Sequence, residues 1–201
     1  MVRIFMLDLS KISDHDGGSE SNRSSNLKSQ IAKQLVLDFY QRKNNELIKN
    51  KYGKPYFYGQ AHQHFSISHS KNMLAVAFDN KEIGLDVEVI QEDQFQRLID
   101  FFNQSAIDFI CDGKGMNQFL KCWVMKEAVI KKFGLSLFEH GRSIYLLEEN
   151  HEWRGKFNSY EVACGYIEVD QVMIGWAKDD RVSPHVEYLK PDFIRNKLDK
   201  R

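Results

Sequence analysis

The chain has 201 residues and balances 28 Lys plus Arg against 28 Asp plus Glu, so its formal charge at pH 7 is zero. That balance excludes the overall basic character of a nucleic-acid or anionic-membrane binder. With 42% apolar and 28% charged residues and three prolines, disordered, collagen-like and proline-rich classes are excluded too.

Residues 2–9 read as a first strand, and MVRIFMLDLS lacks a signal-peptide core. A polar Gly/Ser/Asp stretch over 10–25 is a loop. Leu27, Ile31, Leu35 and Phe39 then recur every fourth residue and predict a helix over 25–40. Tyr52-Gly53-Lys54-Pro55 is a turn that leads into strands at 56–58, 65–68, 73–79 and 82–90. The last two, separated by Asn80-Lys81, are expected to form a hairpin. Helical patterns at 94–110 and 116–133 follow, then strands at 142–148, 159–169, 171–178 and 185–190. A second hairpin is expected around Asp170. Each half reads as helix plus hairpins, which predicts an α+β chain of two similar subdomains with a shared core, 1–90 and 91–201. Cys111, Cys122 and Cys164 are odd in number and lack a C-x-x-C pattern, so they suggest buried thiols rather than disulfides or zinc. The longest apolar run, Met73 to Phe78, is six residues against the ~20 of a membrane helix. A soluble, cytoplasmic protein is expected.

In Ile83-Gly84-Leu85-Asp86-Val87-Glu88-Val89 the apolar residues fall on odd positions. Strand period two therefore puts Gly84, Asp86 and Glu88 on one face. Carboxylates at i and i+2 are about 7 Å apart along a strand and can converge on one hard cation such as Mg²⁺. Gly84 would leave room for a ligand to approach. The wet face of a hairpin would carry the same residues. On the helix, Trp123, Glu127 and Lys131 recur every fourth residue and share a face. Either Glu127 and Lys131 are an exposed ion pair, or an acid and a cation face one substrate. Phe65-Ser66-Ile67-Ser68-His69-Ser70 places Ser68 and His69 at a strand end, as a capping turn or as phosphate contacts. Arg23 and Lys28 lie at the start of the first helix, where an anion would also meet free N–H groups, unless this is an ordinary solvated helix start. Walker-type, G-x-G-x-x-G, G-x-S-x-G and H-E-x-x-H elements are absent from the sequence.

The succession Tyr52-Gly53-Lys54-Pro55, Phe65-Ser66-Ile67-Ser68-His69-Ser70, Ile83-Gly84-Leu85-Asp86-Val87-Glu88 and Trp123-Val124-Met125-Lys126-Glu127-Ala128-Val129-Ile130-Lys131 resembles the surfactin-type 4′-phosphopantetheinyl transferases from about residue 20 to 178. The resemblance implies a single-chain pseudo-dimer of two α+β halves, each with a small antiparallel sheet and helices, and with the active site in the cleft between them. It implies transfer of phosphopantetheine from coenzyme A to a serine of an apo acyl, polyketide or peptidyl carrier protein, with Mg²⁺ and release of 3′,5′-ADP. By the same resemblance Asp86, Glu88 and Glu127 are metal positions, and Glu127 and Lys131 are catalytic. Arg23, Lys54, Ser68, His69 and Lys131 contact coenzyme A. A monomer without nucleic-acid or membrane partners is implied. The competing expectation is a catalytically silent relative that binds coenzyme A or a carrier. Two departures stand out. The stretch before Arg23 holds Asp14, Asp16 and Glu20 where relatives carry basic residues, and Ser105-Ala106-Ile107 stands where a glutamate is common.

Overall fold

The computed structural model describes residues 2–11, 20–43, 47–90, 98–102, 115–181 and 183–190, with the side chains of 11, 20–25, 115 and 116 also left aside. In chain order it runs β1 (Arg3–Asp8), α1 (Glu20–Tyr40), β2 (Leu47–Lys49), β3 (Pro55–Phe57), β4 (His64–Ser70), β5 (Met73–Asp79) and β6 (Gly84–Val89). Then come α2 (Gly115–Phe133), the short α3 (Leu137–His140), β7 (Ile144–Glu149), β8 (Glu152–Phe157), β9 (Tyr160–Val169), β10 (Val172–Lys178) and β11 (His185–Tyr188). The chain is α+β, as expected. Strands β2, β8 and helix α3 have no counterpart in the sequence reading. The helix expected over 94–110 falls largely outside the described residues, and Ile99–Phe101 within it is a 3-10 turn.

Two sheets lie back to back. The first has the order β11-β1-β5-β4, with β1 and β11 parallel and the other pairs antiparallel, and the second is β6-β10-β9-β8-β7, antiparallel throughout. Period-two alternation sorts the side chains. Leu7, Leu74, Val76 and Phe78 meet Ile31, Leu35 and Val36 of α1. The intervening Ile4, Met6, Ala75 and Ala77 meet Ile83, Leu85, Val87 and Ile174 between the sheets. Beyond the second sheet, Met125, Ala128 and Val129 of α2 pack on Val162, Cys164 and Ala177. The layers are thus α1, sheet, sheet, α2.

The hairpin expected around Asp170 is present, with Val172 opposite Val169. The one expected between 73–79 and 82–90 is not. Strand β5 pairs with β1 on one edge and β4 on the other, and all seven of its residues are buried. Both edges of β5 are occupied, so β6 crosses to the second sheet and pairs with β10. A buried ion pair bridges the sheets at this end, Lys178 Nζ to Asp79 Oδ2 at 3.3 Å. Among the described residues no helix is long and apolar enough to cross a membrane.

Candidate active site

Strand β6 is an edge strand, bonded through one side to β10. Its other side meets side chains of β4 instead of backbone. Ser66, Ser68 and Ser70 Oγ accept from the N–H groups of Leu85, Val87 and Val89 at 3.0, 3.2 and 3.2 Å. Serines at every second residue of β4 keep step with alternate amides of β6 because both strands repeat every two residues. Two of these hydroxyls also donate to carboxylates. Ser68 donates to Asp86 Oδ1 at 2.8 Å and Ser70 to Glu88 Oε2 at 2.6 Å.

The polar face of β6 turns toward α2, not toward water. A Cβ built at Gly84 would lie 1.7 Å from the Ala128 carbonyl oxygen, and one at Gly175 would lie 2.2 Å from that of Val124. The expectation that Gly84 leaves room for a ligand is therefore corrected: the helix backbone occupies that space. This close approach lays the flank of α2 beside the edge strand. Trp123 Nε1 donates to Glu88 Oε1 at 3.3 Å, and Lys131 Nζ donates to Asp86 Oδ1 at 2.6 Å and to Ser68 Oγ at 2.8 Å. Glu127 lies between Trp123 and Lys131 on this flank. It lines a cavity of about 260 Å³ together with Lys131, Gly134, Ser66, Gly53 and Lys54.

The electrostatics follow from burial and crowding. Burial, then the negative charge of Asp86, pushes Glu127 up to about 7; Lys131 pulls it back in part and Glu88 adds to the rise. Burial and Asp86 likewise hold Glu88 above the usual carboxylate range, against the hydrogen bonds from Ser70 and Trp123. For Lys131, burial pulls the ammonium down, but Asp86, Glu127 and Glu88 outweigh it and the net direction is up. Asp86 is 3% exposed, and its Oδ2 is buried with no hydrogen-bond partner.

The predicted residues do not all meet at one place. Asp86, Glu88, Glu127, Lys131 and Ser68 are brought together. Lys54 reaches the same cavity, but its ammonium is spent on Glu82 Oε2 at 2.6 Å and on the Lys132 carbonyl at 2.8 Å. His69 lies on the opposite face of β4 from Ser68 and is exposed; both fall at the C-terminal end of the strand, as expected, but as residues paired with β5 rather than as a capping turn. Partial burial, then the charges of Lys28 and Lys131, lower its pKa, which favours a neutral ring. Arg23 falls on α1, and its side chain lies outside the described residues. Helix α1 starts at Glu20, so Lys28 sits in its third turn, not at its start, and donates to the Lys71 carbonyl. Ser66 and Ser70, to which the motif assigns no role, join Ser68 along β6, and their spacing from it is a visible signal.

Acidic groups on a strand, a cation and an acid on a facing helix, and a small cavity beside them form a site suited to a phosphorylated ligand. No family model matches the chain. It is similar to 4′-phosphopantetheinyl transferase gsp of Aneurinibacillus migulanus, 30% identical over 93 residues that span 45% of this chain and 38% of that protein. It is similar to a 4′-phosphopantetheinyl transferase of Bacillus subtilis, 34% identical over 107 residues, 50% of this chain and 47% of that protein. The match to 4′-phosphopantetheinyl transferase Sfp of Bacillus subtilis (strain 168) is 28% over 154 residues, 70% of this chain and 67% of that protein. The matched region thus spans less than half the length of the first two relatives. The resemblance to the surfactin-type 4′-phosphopantetheinyl transferase family, read from four motifs, holds.

Proposed function

We propose that this chain transfers the 4′-phosphopantetheine arm of coenzyme A to a serine hydroxyl of an apo carrier protein, releasing 3′,5′-ADP. The observation that carries the reading is that Glu127 and Lys131, on a flank of α2 beside Asp86 and Glu88, share one cavity with the Gly53-Lys54 turn. Residues 1–90 and 91–201 serve as the two halves of a pseudo-dimer, and they exchange strands: β6 joins the second sheet and β11 the first.

Asp86, Glu88 and Glu127 would hold Mg²⁺. Their chemistry fits a hard cation: three crowded carboxylates, two of them driven toward protonation, and one orphaned buried oxygen on Asp86. Among the described residues no three such side chains are gathered at ligand distance, and Lys131 supplies the countercharge at Asp86. When bound, the ion would offset charge developing on the diphosphate leaving group. Glu127 takes the proton from the carrier serine, directly or through a water, as the serine oxygen attacks the β-phosphorus. Lys131 neutralises the departing 3′,5′-ADP. Its exchange from Asp86 to a phosphate oxygen conserves one charge-assisted bond. Ser68 acts on coenzyme A through Lys131 and Asp86, and His69, Lys54 and Arg23 contribute to binding the coenzyme. The protein acts as a cytoplasmic monomer, with neither nucleic acid nor membrane as partner.

Mass spectrometry of apo carrier proteins incubated with the chain, coenzyme A and Mg²⁺ tests this. Addition of a phosphopantetheine group on serine is expected, and none with Glu127→Gln. Coenzyme A binding without transfer to acyl, polyketide or peptidyl carriers would instead establish a silent binder.

A further inference from the structure

The side chain of Asn50 knits the turn that precedes β3 and fastens it to the C-terminal end of α2. Asn50 Oδ1 accepts from the backbone N–H groups of both Tyr52 and Lys54 at 2.9 Å. Its backbone closes the same turn, accepting from Gly53 N and donating to the Lys54 carbonyl, each at 3.0 Å. Its amide then reaches out of the turn, with Nδ2 donating to the Gly134 carbonyl at 2.9 Å. Gly134 ends the helix in the left-handed region at φ +60, and a Cβ there would lie 2.5 Å from Asn50 Nδ2. The glycine therefore serves both the helix end and the Asn50 contact. A second tie, from Lys54 Nζ to the Lys132 carbonyl, binds the same turn to the same helix end. Asn50 does not line the cavity, but the residues it fixes do: Gly53 and Lys54 form one wall, and Lys131 and Gly134 another.

We propose that Asn50 is a positioning residue for coenzyme A. It sets the separation between the Gly53-Lys54 wall and the helix that carries Glu127 and Lys131. The inference rests on the transferase reading for the identity of the ligand. The Nδ2 anchor to Gly134, rather than closure of the turn alone, shapes the binding cavity.

Asn50→Ala removes all three side-chain bonds, whereas Asn50→Asp keeps an acceptor for Tyr52 and Lys54 but loses the donor to Gly134. Calorimetric titration of the full chain with coenzyme A, urea midpoints and steady-state kinetics are read together. The expected result is a roughly tenfold weaker Kd and higher KM for coenzyme A in both variants, with the carrier KM unchanged. Gly134→Ala, which pushes on Nδ2 from the other side, should weaken coenzyme A binding in the same direction. Wild-type coenzyme A affinity in Asn50→Asp would overturn the inference, and so would equal changes in the KM of both substrates. Failure of the wild-type protein to modify any carrier would defeat the transferase reading while the calorimetric comparison still decides the role of Asn50. Absence of coenzyme A binding to the wild type would overturn both.

Discussion

Replacing Lys126 by methionine separates two costs that a buried lysine combines. The side chain is 1% exposed, and its Nζ donates to the carbonyls of Gly141 at 2.6 Å and Ile144 at 2.8 Å, 4.8 Å from the centre of the Phe102 ring. One residue from Glu127, it ties α2 to Gly141, just after α3, and to Ile144, the first residue of β7. Burial pulls its pKa from 10.5 down to about 8. A neutral amine still has two N–H groups for two carbonyls, so deprotonation preserves both hydrogen bonds.

Between pH 8 and 10.5 the unfolded chain therefore binds a proton that the folded chain does not. The stability contributed by this group is fully present above the unfolded pKa and is lost as pH falls through about 8. At about 1.4 kcal/mol per pH unit, that interval amounts to about 3 kcal/mol. Lys126→Met strands the two carbonyls, at about 1–3 kcal/mol each, and at pH 7 removes a desolvated ammonium that partly offsets this loss. The variant should trail the wild type by about 1–3 kcal/mol at pH 7 and by about 3 kcal/mol more near pH 10. Urea unfolding of both proteins at pH 7, 8.5 and 10 measures the gap, and groups that titrate alike in both cancel. A gap that stays constant or narrows with rising pH would show that burial does not lower the Lys126 pKa in the folded protein.

Lys131→Met should lower carrier modification by about 10²–10³-fold while circular dichroism stays folded, and near-wild-type turnover would remove Lys131 from the chemistry. Excess EDTA should abolish transfer and added Mg²⁺ should restore it; full activity in EDTA would count against the proposed cation. Gly84→Ala drives a methyl into the Ala128 carbonyl and should cost about 3 kcal/mol or more in urea unfolding, whereas an unchanged midpoint would show that α2 does not sit on β6 as described. Ser70→Ala frees the Val89 amide and one Glu88 oxygen, for about 1–2 kcal/mol. Hydrogen exchange at Val89 should quicken, and unaltered exchange would mean that the hydroxyl is not its partner.

The alternation of β6 was legible because period two sorts Ile83, Leu85 and Val87 from Asp86 and Glu88 without knowledge of any partner. The same period does not say which edge a strand will share. Pattern alone therefore points 82–90 to its sequence neighbour, whereas the fold pairs it with β10. A clue was present: Met73-Leu74-Ala75-Val76-Ala77-Phe78 is a continuous apolar run, as expected of a strand covered on both faces. The flank of α2 was legible from its helical spacing, which placed Glu127 between Trp123 and Lys131. Strand β8 escaped because Glu152-Trp153-Arg154-Gly155-Lys156-Phe157 mixes charge and glycine. Gly155 is there to admit Val129, whose side chain would meet a Cβ at 2.4 Å. That requirement belongs to helix–sheet packing and leaves no local pattern. Asn50 was invisible for the same reason, because its function depends on Gly134, a residue 84 positions away.

The location of the site follows from the way β6 is left at an edge. A bare strand edge presents unpaired N–H groups and invites pairing with another strand. Here three serine hydroxyls satisfy those amides, and a hydroxyl that accepts from an amide still has a proton to give. Backbone pairing would have exhausted both partners, whereas Ser68 and Ser70 pass a hydrogen bond on to Asp86 and Glu88. The device that closes the sheet edge also orients the carboxylates. The zero net charge of the chain hides the result. Residues 79–100 carry seven acidic and two basic side chains, a net of −5, and residues 121–133 carry four basic and one acidic, a net of +3. Strand β6 and helix α2 bring parts of these two segments face to face, and Lys131 on Asp86 is where they meet. A phosphorylated ligand competing for Lys131 must leave Asp86 needing another positive charge, so anion and cation binding are expected to be coupled. Coenzyme A affinity measured with and without Mg²⁺ reads that coupling directly. Equal affinities would show that Lys131 does not move between the two partners.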